Sequence, residues 1–146
     1  MDAADPYPSA QLHHPNPPLD ERQRALILAR PDMLTLSAFA ERFGIRRDLL
    51  DKRHAAGRLL ALRLDGKPRY RCPAWQGRMV SDEAFRKVFE RLLEALGPGD
   101  PWEKYRFFTS ASALLEGKTP VLAWKASSPE RLETAAKAWS EIYVGR

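Results

Sequence analysis

From Phe85 to Leu96 the large apolar residues Phe85, Val88, Phe89, Leu92, Leu93 and Leu96 fall at i, i+3, i+4, i+7, i+8 and i+11. That spacing places all six on one side of an α-helix and on both sides of a strand, so it predicts an amphipathic helix, capped by Ser81 and closed by Gly97. A helix with one apolar stripe must bury it against other elements, which commits this part of the chain to a helical bundle.

The residues that follow read the same way. Asp100 caps and Pro101 opens a helix presenting Trp102, Tyr105 and Phe108. Leu114 to Lys118 forms a turn, and Thr119-Pro120 starts a short helix with Val121, Leu122 and Trp124. Ser128-Pro129 then starts a last helix with Leu132, Ala135, Ala136 and Trp139 on its stripe. Gly117 permits a tight turn, Thr119 caps, and Pro120 begins a helix without forfeiting a bond. Residues 81–146 are thus expected to be all-helical, with the aromatics recurring at core spacing.

The other half of the chain differs. Residues 1–18 carry five prolines and little apolar periodicity, and are expected to form a flexible arm, because they cannot offset the entropy of ordering. A short helix follows around Leu26, Ile27 and Leu28, stopped by Pro31. Thr35 caps the next helix, which ends at Gly44. A helix-turn-helix needs a small residue at the crossing of its helices, a glycine four residues later, and apolar residues beyond the turn; Ala40, Gly44, Ile45 and Leu50 supply them. The second helix is expected from about Arg46 to Ala56. Asp65-Gly66, between an apolar run from Leu59 to Leu64 and the alternation Arg69-Tyr70-Arg71, then signals a β-hairpin. The basic hairpin after a helix-turn-helix looks like the wing of a winged-helix domain over residues 19–76, with Trp75-Gln76 as a packing bridge. The fold class is therefore mainly α: an N-terminal helix-turn-helix with a small hairpin wing, then a helical bundle.

Charge separates the halves further. Between Glu41 and Arg78 there are eleven Lys/Arg against four Asp/Glu, whereas the remainder has thirteen against fifteen. Positive charge gathered on one segment is the footprint of a surface meeting a polyanion, and double-stranded DNA is the polyanion a helix-turn-helix suits. Arg46, Arg47, Lys52, Arg53 and His54 are the candidates on the second helix. Arg58, Arg63, Lys67, Arg69 and Arg71 would follow the phosphate backbone. Asp48 and Asp51 put negative charge on that same helix, and Arg53 occupies a position where an apolar residue often packs.

Other function classes find little footing. Cys72 is the single cysteine, so no intramolecular disulfide or paired-thiolate zinc site can form. The N-terminus lacks the basic start and apolar run of a secretory signal, and no stretch approaches the roughly 18 apolar residues of a membrane span, so the expected compartment is the cytoplasm. No carboxylate pair, Ser/His/Asp set or phosphate-cradling glycine loop is visible, so neither an enzyme, a cofactor nor a metal is expected.

From Trp102 to Trp139, an aromatic-rich helix, the run Leu115-Glu116-Gly117-Lys118-Thr119-Pro120-Val121-Leu122 and a final amphipathic helix follow one another. In this order they resemble the Xre/MbcA/ParS-type toxin-binding domain of bacterial antitoxins, with its leucine-x-glycine-x-x-proline turn. The resemblance implies a cognate toxin partner, often of the RES class that consumes nicotinamide dinucleotide, and repression of the chain's own promoter. It implies partner contacts at Trp102, Leu115, Gly117, Pro120, Leu122 and Trp124. The N-terminal half departs from that family's commonest form, looking more like a winged or MerR-type head than a phage-repressor bundle. A homodimer is expected, since a reader with one small motif usually needs two half-sites. The alternative is a protein-interaction or adaptor module whose basic face meets an acidic partner.

Overall fold

The structure, a computed structural model, describes residues 17–80 and 82–144. The expected arm at residues 1–18 therefore lies almost wholly outside the described residues, as does the Ser81 cap. The chain is mainly helical with a small two-stranded antiparallel sheet, and it divides into two compact units, residues 19–93 and the residues from 94 onward. The division falls inside a helix, further along the chain than the expected junction between 76 and 81.

In the first unit, α1 (Glu21–Leu28) starts with a capping box: Asp20 accepts from the Gln23 amide and the Gln23 side chain accepts from the Asp20 amide. Strand β1 (Met33–Thr35) leads directly into α2 (Leu36–Phe43), whose first turn is closed by Thr35 Oγ1 accepting from the Ala38 amide at 3.0 Å. Gly44, at φ 65°, takes the left-handed conformation that ends α2, and the Ile45 amide donates back to the Ala40 carbonyl at 2.9 Å. Helix α3 (Arg47–Ala55) follows with Leu50 fully buried.

The segment after α3 departs from the expected hairpin. Its two arms meet only at the pair Leu62 and Arg71, and β2 (Arg71–Pro73) pairs instead with β1, Met33 opposite Pro73 and Thr35 opposite Arg71. The reason is burial: Leu59, Leu60, Ala61 and Leu62 are all interior, so this run has no outward face to alternate. Gln76, the first residue of α4 (Gln76–Val80), takes the place of a neighbouring strand. Its fully buried amide accepts from the Leu60 N–H at 3.0 Å and donates to the Leu60 carbonyl at 2.7 Å. Gly77 beside it is pressed against Phe43, whose ring occupies the space any β-carbon there would need.

Helix α5 (Glu83–Ala95) begins on the Asp82 carboxylate, which accepts from the amides of Ala84 and Phe85 at 2.9 and 3.2 Å. Its stripe is buried at Phe89, Leu92, Leu93 and Leu96, while Phe85 stays exposed.

The second unit contains α6 (Pro101–Thr109), a 3₁₀ turn (Ala113–Leu115), α7 (Pro120–Ala123), α8 (Pro129–Trp139) and a π-helical turn (Ser140–Val144). Asp100, Thr119 and Ser128 cap α6, α7 and α8 through side-chain oxygens, each followed by a proline at the first helical position. Phe107 packs edge-on against Phe108 and Trp139, with ring centroids 5.1 and 6.0 Å apart. Arg106 is buried, paired to Glu103 at 3.1 Å, with its guanidinium 6.0 Å from the Trp139 ring centroid.

Candidate functional site

On α3, Leu50 is buried and Arg53 and His54 are half-buried, which leaves Arg47, Asp48, Leu49, Asp51, Lys52 and Ala55 exposed. The two arginines expected to read bases are both engaged with carboxylates of that helix. Arg46 Nε donates to Asp48 Oδ1 at 3.0 Å, and its Nη2 meets the other carboxylate oxygen. Arg47 Nε donates to Asp51 Oδ1 at 3.0 Å, and its Nη1 donates to Ser37 Oγ of α2 at 2.6 Å. The hydrogen bonds from Arg46 hold the Asp48 carboxyl down at about 2, and the same pairing raises the Arg46 guanidinium above its ordinary value. Arg46 therefore does not cap the helix with its side chain; it turns to Asp48.

Arg53 and His54, expected to contact DNA, point partly inward. Burial is the first cause lowering the Arg53 pKa, and the nearby Arg86 adds to it against the opposing Glu90. Its Nη1 is buried and finds no hydrogen-bond partner among the described residues. Arg86 and Glu90 on α5 pair with each other at 3.0 Å. Arg53 is thus half-buried rather than fully on the outer face. His54 sits edge-on to Tyr70, 4.5 Å between ring centroids. Burial lowers its pKa, Arg63 adding to the effect and Asp51 opposing it.

In the loop from 63 to 70, the Arg63 guanidinium lies 5.1 Å from the Tyr70 ring centroid and donates to the Lys67 carbonyl at 3.0 Å. Arg71 is held in the sheet, its guanidinium reaching the Met33 carbonyl at 3.5 Å. By contrast, Lys52, Arg58, Lys67 and Arg69 are exposed and make no side-chain hydrogen bond or ion pair among the described residues. Of the ten basic candidates they are the cations left for an external anion. Ser37, Tyr70 and Gln76, which orient the arginines and the loop, were not singled out for this from the sequence. No local spacing signals a hydroxyl, ring or amide that acts across elements.

The expected partner surface is also redistributed. Trp102, Leu115, Pro120 and Trp124 are buried, whereas Gly117 is exposed and Leu122 is 76% exposed. The turn is built by Glu116 and Gly117 in the left-handed region, φ 59° and 80°, which lets the Gly117 amide reach the Ser112 carbonyl at 2.8 Å. In a unit this small the large rings are needed inside, so the large apolar residues left outward among the described residues are Leu122 and Leu114, the latter 45% exposed and not foreseen. Leu114 borders a shallow groove of about 510 Å³ lined also by Ala113, Glu130, Arg131 and Thr134.

Among the described residues, no group of three His, Cys, Asp or Glu is placed to hold a metal ion, and no helix is long and apolar enough to cross a membrane. Cys72 is fully buried, and burial pushes its thiol up to about 12. The chain matches no family model, no curated protein and no solved structure.

Proposed function

We propose that residues 19–76 bind double-stranded DNA as a winged helix-turn-helix, and that the chain is an antitoxin-like cytoplasmic transcription regulator. In this reading residues 81–146 engage and neutralise a cognate toxin. The observation that carries the DNA reading is that four of the ten basic candidates, Lys52, Arg58, Lys67 and Arg69, are exposed on α3 and the segment after it and have no internal partner among the described residues. Such groups release counterions when they meet phosphates, and counterion release dominates affinity for DNA.

The element order supports the same reading. Strand β1 precedes the helix pair, β2 returns beside it, and Arg71 of β2 also pairs with Leu62, so that the loop from 63 to 70 leaves the sheet as a wing does. The toxin reading rests on the resemblance of residues 102–139, together with Leu122 and Leu114 remaining outward beside the glycine-proline turn. One helix pair of this size reads one half-site, so the acting species is a homodimer.

The test is binding of the purified chain to its own upstream DNA and to unrelated duplex between about 0.05 and 0.2 M salt. The expected result is preference for the upstream sequence with a steep negative salt slope. Replacing Lys52, Arg58, Lys67 and Arg69 by Gln together flattens that slope by up to about 0.9 for each phosphate that is no longer neutralised. Weak, indiscriminate binding unchanged by these substitutions would move the basic face to an acidic protein partner.

A further inference from the structure

We propose that Asp48 and Asp51 are positioning residues for discrimination: by holding Arg46 and Arg47 in ion pairs when no cognate sequence is present, they suppress binding to unrelated DNA. The inference deepens the DNA-binding reading and rests on it.

The geometry is specific to the outer face of α3. Arg46 meets Asp48 at two points, and Arg47 is held at two places, by Asp51 on its own helix and by Ser37 on α2. Each guanidinium therefore commits two of its donors to protein oxygens, and the four charges cancel. The pairs are largely exposed, Arg46 at 79% and Asp48 at 57% of the side chain, so water screens them and they can open without rebuilding a core.

A phosphate met at random offers a guanidinium little more than the carboxylate it must leave. A guanine edge offers two acceptors in register, which a freed arginine can use, and the released carboxylate can accept from a cytosine amino group. Discrimination then comes from exchange: the unpaired cations Lys52, Arg58, Lys67 and Arg69 provide attraction to any duplex, and the paired arginines engage where the exchange is matched.

The experiment uses the full chain and measures affinity for unrelated duplex and for the upstream duplex against salt, with far-UV circular dichroism as a check on folding. The variants are Asp48→Asn and Asp51→Asn, singly and together. The double variant is expected to bind unrelated duplex about tenfold tighter near 0.1 M salt, with a salt slope steeper by about 1.8, or 0.9 for each phosphate reached by a freed arginine. Its preference for the upstream duplex falls correspondingly.

Glu41→Gln removes another exposed acid, on α2, that holds neither arginine. It is expected to leave affinity for unrelated duplex within about twofold, because net charge alone is a small term at this salt. Adding Arg46→Gln and Arg47→Gln to the double variant is expected to abolish the gain, which a purely structural role of the carboxylates would not predict. The proposal is overturned if the wild-type chain binds DNA and the double variant binds unrelated duplex no tighter, if Glu41→Gln tightens it equally, or if the gain survives removal of the arginines. A wild-type chain that binds neither duplex overturns the DNA-binding reading itself.

Discussion

The two units are both built mainly of capped helices, yet they differ in charge balance and in what surrounds one enclosed arginine of each. In residues 19–93 there are seventeen Lys/Arg against ten Asp/Glu, and Arg53 has a buried Nη1 with no hydrogen-bond partner among the described residues. From 94 onward seven face seven, and the buried Arg106 is paired to Glu103 and lies 6.0 Å from the Trp139 ring centroid. One unit carries positive charge it does not neutralise, and the other uses a cation as part of its interior. The contrast teaches that helical architecture leaves the use of charge open, so function has to be read from where individual guanidiniums end.

That contrast can be broken by mutation. The largest effect is expected at Arg106→Leu: it leaves the Glu103 carboxylate enclosed without its partner and lowers stability by about 3–5 kcal/mol, measured by urea denaturation. A change below about 1 kcal/mol would show that the second unit does not depend on this pair.

In the first unit stability is expected to come from packing rather than from charge compensation. Gly77→Ala places a methyl group where the Phe43 ring lies and is expected to cost about 1–3 kcal/mol by the same measurement. Arg53→Leu is expected to act in the opposite direction. Removing a poorly partnered donor raises stability by up to about 1 kcal/mol, whereas a decrease would mean that Arg53 is compensated as Arg106 is.

The smallest effect is a pH dependence. Burial beside Tyr70, with Arg63 nearby, lowers the His54 pKa below that of an unfolded histidine, so on acidification the unfolded chain takes up this proton first. The stability associated with neutral His54 is present above about pH 6.5 and is lost as pH falls through its lower folded value. Thermal unfolding of the wild type between about pH 7.5 and 5, against His54→Gln, should show a shallower decline in the variant. Equal slopes would sink the assignment. The Asp48 carboxyl, held at about 2, contributes in the same sense but at lower pH, its pairing being lost as pH falls below the ordinary carboxylate range.

What the sequence determined by itself is local. The caps at Thr35, Asp100, Thr119 and Ser128, the left-handed stop at Gly44 and the stripe from Phe89 to Leu96 depend on groups within a few residues of one another, so spacing alone reveals them. The helical class and the concentration of positive charge between Glu41 and Arg78 were legible for that reason.

Tertiary structure decided which partners those residues find. The expected hairpin is reduced to the single pair Leu62 and Arg71, while β2 pairs along β1 and Gln76 satisfies the Leu60 backbone where a strand would have done so. Of the ten basic candidates, Arg53 and His54 turned partly inward, Arg46 and Arg47 became paired, Arg63 and Arg71 reached backbone carbonyls, and Lys52, Arg58, Lys67 and Arg69 stayed free. The rings proposed for partner binding went inside, leaving Leu122 and Leu114 outward. A residue's type states what it can bind, but its burial and its opposing group are set by segments far away in the chain, and those two quantities decide whether its charge or its apolar surface remains available.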